Sequence, residues 1–185
     1  FKELKEAIDN NFDGYSKIHA LTMNGVKKFG SGDEEALSMA NRVTRMVADL
    51  LHSQDNGRGG TYSTGYRSNN NHTVSGRVSG ASPSGRLAGE PFTPGLTPNP
   101  SASKNILDNL LDVAKLDPMT LDNNIAFNVR LSFSKNDSYE ENINKVADIV
   151  KTYFDAGGMQ IQFIMLDTDT LKDAMAHPEY YQDVI

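Results

Sequence analysis

Between Gly76 and Asn105 the sequence reads GRVSGASPSGRLAGEPFTPGLTPNPSASKN, dense in Gly, Pro and Ser and without hydrophobic periodicity. Inside a compact domain a structureless stretch of this length is uncommon, and is either functional or a linker. Its turn chemistry is continuous. Ser82-Pro83-Ser84-Gly85 reads as a turn, Pro91 and Pro94 fix their φ angles and lack a donor, and Gly95 tolerates conformations that other residues resist. A flexible linker is the simplest reading, yet a linker has no use for Leu87, Phe92 and Leu96, and Arg86 and Glu90 stand four apart as a possible ion pair. The stretch is therefore expected to be a long ordered loop packed on a scaffold.

The scaffold is read from either side of it, as a helical block over 1–54, a Gly/Pro-rich loop region with short strands over 55–105, and α/β units over 106–185. Leu4, Ile8 and Phe12 recur at helical spacing, and Asn10-Asn11 with Asp13-Gly14 ends that run before a second helix carrying Ile18, Leu21 and Val26. Ser31 with Glu34 matches a capping box, and Leu37, Ala40, Val43, Val47, Leu50 and Leu51 form one apolar stripe behind it. Asp55-Asn56-Gly57 and Gly59-Gly60 predict tight turns with positive φ. Thr61–Tyr66 and His72–Val78 read as short extended segments. After the loop, Ile106, Leu107, Leu110, Leu111 and Ala114 make a short helix stopped by Asp117-Pro118.

Residues 124–133 are the cleanest strand, because Ile125, Phe127, Val129, Leu131 and Phe133 alternate with Ala126, Asn128, Arg130 and Ser132. Ser138 and Glu141 form another capping box, opening a helix through Ile143, Val146, Ala147, Val150 and Phe154 that ends at Gly157-Gly158 in a left-handed cap. Met159–Leu166 is a second strand, and a third unit begins near Thr168 and stops at Pro178. Strand, helix and strand in that order imply a right-handed crossover and a parallel pair, so the fold class is α/β.

Charge and composition narrow the chemistry. A formal net charge of -6 with scattered Lys and Arg argues against nucleic acid or an anionic membrane as partner. The chain has no cysteine, so it holds no disulfide, thiolate metal site or thiol nucleophile. No apolar run reaches the roughly 20 residues a bilayer-spanning helix needs. His72 is the most reactive-looking side chain, set in the polar run Ser68-Asn69-Asn70-Asn71-His72-Thr73; against that, a lone histidine is commonly structural. His19, His52 and His177 have no second ligand at metal spacing, and no metal site is expected. Gly157-Gly158 follows a helix, the reverse of a dinucleotide fingerprint. Gln160 and Gln162 share one face of an apolar strand and need hydrogen-bond partners there.

The run Gly80-Ala81-Ser82-Pro83-Ser84-Gly85-Arg86-Leu87-Ala88-Gly89-Glu90-Pro91-Phe92, followed by Pro94-Gly95-Leu96-Thr97-Pro98, closely resembles the glycyl radical enzymes of the pyruvate formate-lyase (formate C-acetyltransferase) family. Gly157-Gly158-Met159-Gln160-Ile161-Gln162 and Leu171-Lys172-Asp173-Ala174-Met175-Ala176-His177-Pro178-Glu179-Tyr180-Tyr181 resemble that family's penultimate strand and the helix leading to its radical loop. The resemblance implies part of a ten-stranded α/β barrel, its C-terminal half. Two finger loops meet inside such a barrel, one with a catalytic cysteine and one with the glycine that stores the radical. It also implies an organic glycyl radical as cofactor, a radical-SAM activating enzyme, a homodimer, a cytoplasmic setting, and the remainder of a parent enzyme chain as partner. This sequence shows neither the cysteine nor the Arg-x-Ser-Gly-Tyr radical segment, so it is expected to be a piece that is inactive alone, and no catalytic residue is assigned in it.

On that resemblance Pro91, Phe92, Pro94, Gly95, Leu96, Gln160 and Gln162 support the radical loop, while Tyr66, Asn70, Asn71 and His72, on a strand near 66–73, contact a small polar substrate. The implied reaction is thiyl-initiated cleavage by a dehydratase, C-S or C-N lyase, or decarboxylase. The formate acetyltransferase is the alternative, and a non-catalytic partner or an α/β binding module is the reading from another class.

Overall fold

The computed structural model describes residues 1–66, 71–103, 105–122, 127–128, 131, 133–134, 136–159, 172–173, 175–177 and 179. Their main elements are α1 (Lys2–Asp9), α2 (Ser16–Asn24), α3 (Glu34–His52), α4 (Asn71–Arg77), α5 (Ile106–Ala114), a 3-10 turn (Pro118–Thr120) and α6 (Tyr139–Asp155). The expected strands, 124–133 and 159–166, fall largely outside the described residues, whereas the helix expected between them is α6. What is described is a helical framework with loops.

Capping chemistry sets the helix starts. In α6 the box is as expected: Glu141 N donates to Ser138 Oγ (3.2 Å) and Ser138 N to Glu141 Oε2 (2.7 Å). The helix closes on Gly157 at φ 97°, with Gly158 N reaching back to Tyr153 O (2.9 Å). In α3 the expected Ser31–Glu34 box is replaced by Asp33, whose Oδ1 accepts from Ala36 N (3.0 Å). The backbone is still in the left-handed region at Gly32 (φ 73°), so the first free helical amides come within reach of Asp33 instead. Phe12 does not extend α1. It adopts φ 59° beyond the helix end, and its buried ring lies 4.7 Å from that of His19. Val26 likewise lies beyond the end of α2 and is exposed.

The core forms where α5 and α6 meet. Leu110, Val113, Ala114, Leu116, Leu121, Phe127 and Tyr153 are buried together, with Phe29, Leu37, Tyr66, Leu96 and Ile149 among the side chains packed on them. Burying an aliphatic or aromatic side chain contributes about 1.5–3 kcal/mol, so this cluster anchors the fold. Gly158 lies against the Tyr153 ring, where a Cβ would come within 2.5 Å of ring carbons. The stripe expected on α3 divides. Leu37, Ala40, Val47 and Leu51 are half-buried, but Val43 (47%) and Leu50 (63%) are exposed.

Two expectations near the loop are corrected. His72–Val78 is not extended, and the strand placed near 66–73 is helical from Asn71 onward, because 71–77 form α4. The reason is tertiary, since α4 is held against residues 90–92 and local propensity yields to that contact. By contrast, the turns at 55–60 form as expected, with Gly57 at φ 71°, Gly59 at φ 85° and an antiparallel bridge between Asp55 and Thr61.

Candidate functional site

The loop after α4 is ordered around one guanidinium. Arg86 Nη1 donates to Leu87 O (2.9 Å) and Glu90 O (2.7 Å), and Nη2 donates to Gly80 O. The guanidinium carbon stands 4.4 Å from the centroid of the Phe92 ring, in cation–π range. Arg86 and Glu90 do come together, but not through the anticipated side-chain ion pair. Arg86 takes the Glu90 carbonyl, while Glu90 Oε2 accepts from Leu87 N (2.9 Å). The planar fork thereby satisfies carbonyls that a turn-rich loop leaves without ladder partners.

The N-terminal block holds this loop from outside. His19 Nε2 bonds Gly85 O (2.8 Å) and Ala88 N donates to Asn11 Oδ1 (2.7 Å). Lys28 Nζ donates to Thr22 O, Met23 O (3.0 Å) and Ser101 Oγ (2.7 Å), and burial pushes its pKa down. Lysine beside serine suggests a nucleophile and base. Here all three ammonium protons are committed and the Ser101 hydroxyl donates to Asn99 Oδ1 (2.7 Å), so the pair is structural. Further along, Leu96 packs on the core and Pro98 is buried against Gly30, where a Cβ would lie 2.2 Å from the Pro98 Cβ.

His72 is half-buried on α4, next to the exposed Asn71. Its carbonyl accepts from Phe92 N (3.1 Å), and one turn on, a Cβ at Gly76 would lie 2.4 Å from Glu90 O and 2.6 Å from Pro91 Cα. The structure thus sets the substrate candidate His72 against the loop residues Pro91 and Phe92, which the sequence kept apart, while Asn71 stays exposed beside it. Tyr66 packs on the core, and its buried hydroxyl has no hydrogen-bond partner among the described residues. Burial first, and then the Asp122 carboxylate, raise its pKa. Pro94 and Gly95 form a turn closed by Thr97 N to Pro94 O (3.0 Å). Asn70, Gln160 and Gln162 lie outside the described residues.

Sequence reasoning missed the cluster next to Tyr66. Asp122 Oδ2 accepts from Thr64 N (2.8 Å) and pairs with His52 Nε2 (2.6 Å), while Thr64 Oγ1 donates to Thr120 O (2.8 Å). Residues this distant in the chain leave no local signal. The His52 hydrogen bond, then that of Thr64 N, holds the Asp122 pKa below its ordinary value. A depressed carboxylate stabilises the fold above its unfolded pKa, about 3.9, and that contribution is lost as pH falls through the folded value. In His52→Ala, protection of the Thr64 amide is expected to fail at a higher pH than in wild type, as read by hydrogen exchange on acidification. Unchanged acid sensitivity would count against the pairing. Among the described residues, no group of three or more His, Asp or Glu side chains is placed to hold a metal ion.

The family described as Glycine radical matches residues 92–185, half of the chain, and the one described as Pyruvate formate lyase-like matches residues 1–76. The chain belongs to the glycyl radical enzyme family. It is 29% identical to the trans-4-hydroxy-L-proline dehydratase of Clostridioides difficile over 98% of its own length and 23% of that enzyme's. It is also 29% identical to the indoleacetate decarboxylase of Tractidigestivibacter scatoligenes, over 100% of this chain and 24% of the relative. Among solved structures, the B12-independent glycerol dehydratase from Clostridium butyricum superimposes with a TM-score of 0.83 at 29% identity, over 100% of this chain and 23% of that one. This glycyl radical enzyme chain therefore spans about a quarter of the length of the relatives it matches, and the solved structures among them support an α/β-type fold.

Proposed function

We propose that this chain is part of the C-terminal half of a ten-stranded glycyl radical barrel in a lyase or dehydratase that cleaves a small polar substrate. The observation that carries the reading is the Arg86-locked loop joined to α4 through Phe92 and Gly76, within a chain matched at both ends by this family. A glycyl radical, installed by a radical-SAM activating enzyme, supplies the one-electron oxidant for hydrogen abstraction. This chain brings no cysteine, so the thiyl relay belongs to another part of the polypeptide.

What these residues contribute is support and placement. Such radical chemistry needs a wall that excludes water and competing donors. Pro91, Phe92, Pro94, Gly95 and Leu96 form a stretch whose backbone is fixed by proline, by the cation–π contact and by the core, and proline lowers the entropy such a loop must lose. Those residues, with Gln160 and Gln162, brace the radical-bearing loop. Tyr66, Asn70, Asn71 and His72 contact the substrate, where hydroxyl, amide and imidazole groups orient polar atoms for abstraction. The dehydratase and decarboxylase relatives favour those branches over formate acetyltransfer.

The test is anaerobic activation of the full-length protein, followed by a panel of glycerol, trans-4-hydroxy-L-proline and indoleacetate with product detection by NMR. Turnover of one of these is the expected result. Pyruvate cleavage alone would move the assignment to the acetyltransferase branch. With the substrate found, His72→Ala is expected to lose about tenfold in kcat/KM, the worth of one net hydrogen bond. Arg86→Lys keeps the charge but loses the planar fork, and is expected to lose up to about 100-fold through displacement of α4. Wild-type kinetics in both variants would remove α4 from the substrate site.

A further inference from the structure

The outer face of α3 carries Met39, Val43, Met46 and Leu50, exposed by 53, 47, 65 and 63%. Their spacing of four, three and four residues is that of a seam receiving a second helix at a shallow crossing angle, about 20°. On one flank the stripe runs without interruption through half-buried Ala40 and Val47 into the core-facing side of the helix. On the other flank it is bounded by the exposed Glu35, Arg42 and Asp49. One covered face needs an apolar arc of only about 100°, so an arc this wide offers a second element a packing surface.

We infer that this face is an interior surface of the full-length polypeptide, covered by a helix from the part of that polypeptide outside these 185 residues. Two observations select this occupant over a second copy of the chain. An interface between separately folded chains has an apolar centre ringed by polar residues, whereas this stripe lacks a polar boundary on its core side. Whatever covers it must also pack beside Ala40 and Val47, as an element of the same core does. The relatives supply the length, because the chain accounts for only 23–24% of each of those compared above. The covering helix presents a small or aliphatic seam to the two methionines, with basic groups opposite Glu35 and Asp49 and an acidic group opposite Arg42.

The inference rests on the reading of this chain as part of a larger enzyme, and its test needs no radical. Full-length protein, expressed from the complete reading frame and left unactivated, is treated with dilute hydrogen peroxide, and sulfoxide at Met39 and Met46 is followed by peptide mass spectrometry. Oxidation is expected to be about tenfold or more slower than in the guanidinium-unfolded protein, with protection independent of protein concentration. Rates within about threefold of the unfolded protein would overturn the inference. So would protection that disappears on dilution, which would assign the face to a second copy, or a reading frame confined to these residues. If the methionines are protected but activation yields no glycyl radical, the functional reading fails while this one stands; a radical with reactive methionines gives the converse.

Discussion

In full-length protein carrying Gly76→Ala, the amide of Phe92 is expected to exchange with solvent about 30-fold faster than in wild type. That amide donates to His72 O, so it reports directly on the seating of α4. An alanine Cβ would stand 2.4 Å from Glu90 O and 2.6 Å from Pro91 Cα, and both obstacles are backbone that no rotamer change can move aside. Overpacking of this kind costs about 3 kcal/mol at its upper range, and every 1.4 kcal/mol is tenfold in the opening equilibrium. The gain in helix propensity from Gly to Ala, about 1 kcal/mol, is smaller than the clash. Gly80 is the control, because a Cβ there meets nothing within 4 Å. Gly80→Ala is expected to change the same exchange rate by no more than about twofold. Equal effects at the two glycines would mean that α4 is not fixed by the loop.

Asp112→Ala is expected to open the other end of the loop. The Asp112 side chain is buried on α5, where Oδ2 accepts from Gly30 N (2.8 Å) and Gly32 N (3.1 Å). Removing the carboxylate strands the buried Gly30 N, at up to about 3 kcal/mol, since an unsatisfied buried group costs about 1–3 kcal/mol, and releases the exposed Gly32 N to water. Gly30 is also the residue against which Pro98 is buried, so loosening here reaches the loop at a second point. Exchange of the Gly30 and Gly32 amides should accelerate about 100-fold, with Phe92 little affected. Asp112→Asn keeps one acceptor oxygen and is expected to cost less. If Asn and Ala behave alike, the carboxylate is not what holds the turn.

The two long helices were legible in the sequence because their signals are local: Ser138 and Glu141 are three apart, Gly157 closes α6, and the apolar period runs on between. Even so, Asp33 took the cap expected of Ser31, since the exact turn before a helix depends on where the preceding glycine places the backbone. The order of the long loop was also legible, from apolar residues and an Arg among the turn residues. Its mechanism was not, because Arg86 acts on carbonyls, and backbone acceptors carry no sequence signature.

The helical state of α4 was out of reach. Asn71–Arg77 lacks an apolar stripe, contains Gly76, and is helical in a setting created by residues 90–92. The cluster of His52, Thr64 and Asp122 failed for the same reason, since contacts across that much sequence follow from the fold and not from spacing. The resemblance to glycyl radical enzymes could be recognised in the loop because that motif is contiguous. Tyr66, Asn71 and His72 remain candidates on the same resemblance.

The central claim is that this chain is part of a radical enzyme, and electron paramagnetic resonance tests it most directly. Full-length protein is incubated anaerobically with a radical-SAM activating enzyme, S-adenosylmethionine and a reductant. The account predicts a carbon-centred doublet, split by the one hydrogen left on the glycine α-carbon. Absence of any protein radical after activation, with a control enzyme activated in parallel, would contradict it.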